Sequence, residues 1–153
     1  MLMLLRHAKS SWERPERDFD RPLGPRGLRD APRMARDLAA QGFAPTHVLC
    51  SPARRTRETL ALLQPHWPLP KATFPDDLYE STAETVRARI DRDGGARTLV
   101  IGHNPGLHDV ARMLVSTAED RDRLRTFPTC AFAAIDRKTG RLLAFRIPKT
   151  LTV

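Results

Sequence analysis

Three short apolar runs limit what this chain can fold into. Residues 1–6 (MLMLLR), Thr46-His47-Val48-Leu49-Cys50 and Thr98-Leu99-Val100-Ile101 are short and almost continuously apolar, the pattern of strands buried on both faces. Helical patterns separate them. Pro25 suits a helix start, and Leu28, Ala31, Ala35, Leu38 and Ala39 then keep helical spacing up to Gly42. Pro32 lies inside that span and predicts a kink or a late start. Ser51-Pro52 leads into a helix through about Leu63, and a further helix around 82–92 ends at Asp93-Gly94-Gly95. Leu107, Val110, Ala111, Leu114 and Val115 follow the i, i+3, i+4, i+7, i+8 pattern of one buried helix face. Residues 13–23 and the proline-rich stretch 65–70 read as loops, with a short strand at 71–75. The tail predicts a hairpin of strands at about 130–136 and 142–147, turning through Lys138-Thr139-Gly140. Strand–helix alternation implies an α/β fold: a single-domain three-layer sandwich over 1–153, with a mostly parallel central sheet and helices on both faces.

At 153 residues the chain can bury roughly 70% of its unfolded surface, so no disulfide staple is required. Cys50 and Cys130 are far apart and have no metal-type spacing, which predicts buried, reduced thiols in a cytoplasmic protein. The opening apolar run, five residues before Arg6, is too short for a signal-peptide core or a membrane span. The net charge is +8, from 22 Arg and 4 Lys against 18 acidic residues, which suits an anionic partner. The arginines are interleaved with carboxylates, as in RDAPRMARD and EDRDRLR. The six Phe, two Trp and one Tyr form no stacking pattern. Nucleic-acid binding is therefore a minor reading.

Each apolar run ends on residues able to hold an anion: Arg6-His7, then Ser51 through Arg57, then His103-Asn104. In an open α/β sheet ligands bind beyond the carboxyl ends of the strands, so these segments should converge at one edge. A neutral imidazole can attack phosphorus and form a covalent phosphohistidine. Guanidinium groups nearby disfavour its protonation and match two phosphoryl oxygens at once. The five histidines do not combine with Cys or carboxylates at ligand spacing, apart from the adjacent His108-Asp109, which reads as a helix surface. No metal and no cofactor is expected.

LLRHAKS resembles the Arg-His signature of the histidine phosphatase superfamily, the phosphoglycerate-mutase-like enzymes. SPARRTRET resembles that family's Ser-Pro-x-x-Arg-x-x-x-Thr motif, and LVIGHNPGL its apolar strand ending in Gly-His. With DFDRPL and the short length, the chain is most similar to the SixA-type phosphohistidine phosphatases. The resemblance implies a phosphoglycerate-mutase-like fold without a large lid insertion. It makes His7 the nucleophile, His103 the second catalytic imidazole, and Arg6 and Arg55 phosphate ligands. Arg54 and Arg57 should face solvent or the sheet edge. Ser10 and Asn104 join the substrate-binding candidates, and Arg21 rims the pocket. Larger family members use a Glu as general acid. Glu80 in DLYES lies in about the right part of the chain, ahead of Asp18, Asp20 and Glu13. Ala8 replaces the family's frequent glycine, so an ordinary backbone is expected there. The implied activity is metal-independent hydrolysis of phosphohistidine on a protein substrate. The alternatives are a phosphatase of small esters, such as a sugar phosphate or nucleotide, and a non-catalytic module binding phosphoanions or nucleic acid.

Overall fold

Alternation along each strand decides what its residues bury. The structure is a computed structural model that describes residues 1–13 and 15–151. Among the described residues it holds six strands, β1 (Leu2–Arg6), β2 (His47–Cys50), β3 (Ala72–Thr73), β4 (Thr98–Gly102), β5 (Phe132–Asp136) and β6 (Arg141–Arg146). The helices are α1 (Pro25–Ala40), α2 (Arg54–Leu63), α3 (Ala83–Asp93), α4 (Gly106–Leu114) and α5 (Ala118–Arg123). The sheet order is β3-β2-β4-β1-β5-β6. The first four strands run parallel, and the β5–β6 hairpin adds antiparallel to β1.

Leu2 and Leu4 of β1 point to one face, against Val86 and Ile90 of α3 and Leu107, Val110 and Ala111 of α4. Met3 and Leu5 point to the other, with Ala31, Met34, Ala35 and Leu38 of α1 and Leu60 and Leu63 of α2. This period of two in a doubly covered strand makes the three layers. Among the described residues no helix is long and apolar enough to cross a membrane.

Three local readings change. First, α1 starts at Pro25 and runs through Pro32, so there is no late start. Pro32 removes one helical donor, but the face carrying Ala31, Met34, Ala35 and Leu38 is fully buried, and that burial outweighs the local penalty. Second, Leu28, expected on the buried face, is exposed. The buried Gly27 instead lies against the backbone of Lys9, so close that a Cβ there would stand 2.3 Å from the Lys9 carbonyl oxygen. Third, α5 was not expected, because AEDRDR has no apolar stripe. Its N-cap Thr117 accepts from the Asp120 N–H at 3.1 Å, and Asp120 in turn accepts from Leu142 of β6 at 3.0 Å. Capping and a tie to the sheet hold it.

Cys50 and Cys130 are free and buried, and burial pushes both thiols up to about 12. Ala8 keeps a negative φ; among the non-glycine described residues only Glu80 and Cys130 have positive φ.

Candidate active site

The backbone fixes the site before any side chain does. β2, β4 and β1 are neighbours, and each hands its last residue to the same edge of the sheet. The His7 N–H donates to Gly102 O at 3.0 Å and the Ser51 N–H to Ile101 O at 2.9 Å. The Cys130 N–H donates to His7 O at 2.9 Å. His7, Ser51 and His103 are thereby held side by side. Arg55 arrives from the first turn of α2, which Thr59 ties to the chain just after His7. The Thr59 hydroxyl accepts from the Ala8 N–H at 3.0 Å and donates to Arg55 O at 2.7 Å.

His7 Nδ1 lies 2.8 Å from Ala8 O. A carbonyl only accepts, so Nδ1 carries the hydrogen and the lone pair sits on Nε2. Nε2 faces the Arg55 guanidinium, whose Nε donates to it at 3.4 Å. Burial first, with His103, Arg55 and Arg6 adding to it, lowers the His7 imidazolium to about 3; the Ala8 carbonyl offsets only part of this. His103 is brought down to about 3 in the same way, by burial and by Arg55, Arg6 and Arg21, against an opposing push from Asp18. The two rings lie with centroids 5.3 Å apart, both neutral near pH 7.

His103 is oriented by Ser51, a fully buried residue whose Oγ is 2.7 Å from Nε2. Ser51 Oγ also accepts from the Ala53 N–H at 3.3 Å; with two lone pairs and one proton it serves His103 Nε2 in either tautomer of the ring. His103 Nδ1 is buried with no hydrogen-bond partner among the described residues, and so is Arg6 Nε. A buried guanidinium N–H and a buried ring nitrogen left unserved beside His7 are expensive unless a ligand meets them. Their chemistry fits an oxyanion.

A second circle surrounds these four residues. Asp18 accepts from Arg55 Nη2 at 3.1 Å, from Arg21 Nε at 3.2 Å and from the Tyr79 hydroxyl at 2.6 Å. The Tyr79 bond, then the two arginines, hold its carboxyl at about 2 despite some burial. Burial and Asp18 push the Tyr79 hydroxyl up to about 12, so it remains a donor. Tyr79 also packs edge-on against His103 and Phe19. Arg21 is buried, donates to Ser10 Oγ at 2.6 Å and lies 3.4 Å from the centroid of the Trp12 ring.

Of the residues named from sequence, His7, His103, Arg6 and Arg55 come together directly. Arg21 and Ser10 join through Asp18 and through each other. Asn104 is adjacent, but its amide donates to Phe127 O at 2.8 Å, the carbonyl that also takes Arg6 Nη1 at 3.2 Å. Glu80 follows Tyr79, exposed and at φ 56°, and makes no hydrogen bond or ion pair with the cluster among the described residues. Arg57 is exposed, and Arg54 pairs with Glu58. His108 is more than a surface residue: half-buried, its Nε2 lies 2.6 Å from Leu124 O. Sequence reasoning missed the bridging role of Asp18, the part of Tyr79 and the hold of Ser51 on His103. Ser51 carried a signal as the first residue of SPARRTRET, and Asp18 as part of DFDRPL, where it reads only as a weaker acid candidate. Among the described residues no group of three or more His, Cys, Asp or Glu could hold a metal ion.

Comparison with known proteins identifies the family and the fold. Residues 2–84 match the family described as the histidine phosphatase superfamily (branch 1). The uncharacterised protein Rv1276c of Mycobacterium tuberculosis (strain H37Rv) is 38% identical over 161 residues, covering 95% of this chain and 100% of that one. The uncharacterised protein ML1117 of Mycobacterium leprae is 32% identical with the same coverage. Among solved structures, a candidate phosphohistidine phosphatase SixA from Agrobacterium tumefaciens superposes with a TM-score of 0.87 at 31% identity, over 96% of this chain and 97% of that one. The protein histidine phosphatase SixA complexed with tungstate superposes with a TM-score of 0.83 at 25% identity, over 99% of each.

Proposed function

The chain belongs to the histidine phosphatase superfamily, with the fold of its SixA-type members, and is by that membership a phosphatase; we propose that it removes phosphate from phosphohistidine on a protein substrate through a phospho-His7 intermediate. The observation that carries this reading is the tautomer of His7: Nδ1–H is spent on Ala8 O, and the Nε2 lone pair is turned to Arg55, in a site that also holds the unpaired Arg6 Nε.

In this reading the phosphoryl group sits between His7 Nε2 and the donors of Arg6, Arg55 and His103. The Nε2 lone pair forms a bond to phosphorus as the bond to the leaving nitrogen breaks. That nitrogen keeps the electron pair and takes up a proton. Water then attacks phosphorus, the P–Nε2 bond breaks, and inorganic phosphate and neutral His7 are regenerated. The guanidinium forks and the His103 ring stabilise charge on the equatorial oxygens, and because they are held by fixed backbone they need no reorganisation. Asp18 keeps Arg55 and Arg21 aligned. Ser10 and Asn104 act at one remove, through Arg21 and through the carbonyl shared with Arg6.

A protein substrate is supported by the activity for which the SixA structures are named. Glu80, exposed and next to Tyr79 in the chain, is our candidate for the proton donor to the leaving atom of an ester. A leaving imidazole needs little help, whereas an alkoxide needs much.

Incubation with a phosphohistidine protein should yield an acid-labile phosphoenzyme, and His7→Ala should lose both it and turnover while melting like the parent. Retained turnover in His7→Ala sinks the mechanism. A large preference for one phosphorylated metabolite over phosphohistidine sinks the substrate class. Glu80→Gln should lower kcat on alkyl phosphates about 100-fold, the lower end for general acid catalysis, and leave phosphohistidine hydrolysis nearly unchanged. Equal losses on both would remove Glu80 from its role.

A further inference from the structure

A second concavity, about 390 Å³, lies beside the catalytic edge, between the N-terminal half of α1 and the stretches 128–129 and 147–149. Arg26, Arg29 and Arg33 line it from α1, with Lys149 opposite. Their spacing of three and four puts the arginines on one helix face. The only carboxylate in the lining is Asp30, which is buried and already paired, with Arg33 at 3.1 Å and Arg29 at 3.8 Å. Arg26 and Lys149 are exposed and have no carboxylate partner among the described residues; Arg26 reaches only Thr129 Oγ1 at 3.4 Å. Between the cations the lining is apolar, from Pro128, Ile147 and Pro148.

The groove and the reaction centre share a wall. Phe127 O holds Arg6 and Asn104, and the Cys130 N–H holds His7 O. Pro128 and Thr129, the two residues between them, line the groove. A peptide whose phosphorylated side chain reaches His7 and whose chain leaves over Pro128 and Thr129 runs past this basic lining.

From this we infer that the groove is a docking site for an acidic segment of the phosphoprotein substrate, a stretch of Asp and Glu flanking the phosphorylated histidine. Arg26 and Lys149, beside a lining whose one carboxylate is already paired, select for negative charge, and the apolar floor accepts the aliphatic parts of Glu side chains. A sugar phosphate or nucleotide bound at His7 would leave the groove untouched. The inference rests on the protein-substrate reading above and adds where that protein is gripped.

The test uses two synthetic phosphohistidine peptides, one with Asp/Glu flanks and one with Ser/Gln flanks, and a small phosphoramidate. The intact enzyme should prefer the acidic peptide by about 10-fold in kcat/KM, through KM, with the preference shrinking as salt rises. Arg26→Glu/Lys149→Glu should abolish that preference and leave kcat/KM on the neutral peptide and the phosphoramidate unchanged. The milder Arg26→Ala/Lys149→Ala pair should lie between, and both variants should melt like the parent. Absence of the preference in the parent, or its survival in the charge-reversed variant, overturns the inference. Fluorescence anisotropy with the unphosphorylated acidic peptide separates the two claims. Binding lost in the variant supports the groove even if neither peptide is hydrolysed, in which case the catalytic reading alone fails. Tighter binding of a single-stranded oligonucleotide than of the acidic peptide overturns the docking proposal.

Discussion

His7 and His103 are bases that the fold keeps from protonating, and this links the site to stability. Each titrates near 6.5 in the unfolded chain and at about 3 in the folded one, chiefly because both rings are buried. Below pH 6.5 the unfolded chain takes up protons that the folded chain refuses. Stability from these groups is therefore complete above 6.5 and is lost as pH falls from 6.5 towards 3, at up to about 1.4 kcal/mol per pH unit for each ring. Urea melts between pH 4 and 7 should show this slope, and His7→Gln/His103→Gln should flatten it; an equally steep slope in the double variant would contradict the assignment. Asp18 acts in the same direction at lower pH. Its carboxyl is held at about 2, so its support is present above 3.8 and disappears only as pH falls through 2. The four central residues were legible in the sequence because each follows directly on an apolar strand or its motif. Asp18, Tyr79 and Ser51 were less so. Their roles depend on which loops close over which strand ends, and no periodicity records that.

At the scale of elements, the strands were readable because doubly buried segments are almost continuously apolar, and α4 because its apolar face repeats cleanly. α5 was invisible for the converse reason: caps and a tie to β6 hold it, and no apolar face marks it. Pro32 misled because a breaker within a helix is tolerated when the rest of the helix face is buried. The packing of α1 makes a sharper statement. Gly27 touches the Lys9 backbone, two residues after His7, and a Cβ there would stand 2.3 Å from the Lys9 oxygen. Gly27→Ala must push the helix or the loop aside, an overpacking cost of about 1–3 kcal/mol. A lowered Tm with a lowered kcat is the expected result, and an unchanged Tm would mean that the contact yields freely.

For the molecule as a whole, strand–helix alternation predicted the layers, but it left open which strand the terminal hairpin joins. The hairpin pairs with β1, so the strand carrying His7 is flanked on both sides, and Arg146 of β6 reaches back to Asp37 of α1 through two bonds of 2.5 and 2.7 Å. Tail and first helix thus clamp the segment that presents the nucleophile. The two cysteines, sealed in the interior and raised to about 12, have a separate consequence. Reactivity toward alkylators and oxidants belongs to the thiolate, which neither residue forms near neutral pH. Iodoacetamide and dilute hydrogen peroxide should therefore leave turnover intact, and inactivation by either under native conditions would show that a sulfur takes part. A catalyst built on imidazole nitrogen with its sulfur locked away would go on releasing phosphate through oxidative stress that silences cysteine-based dephosphorylation.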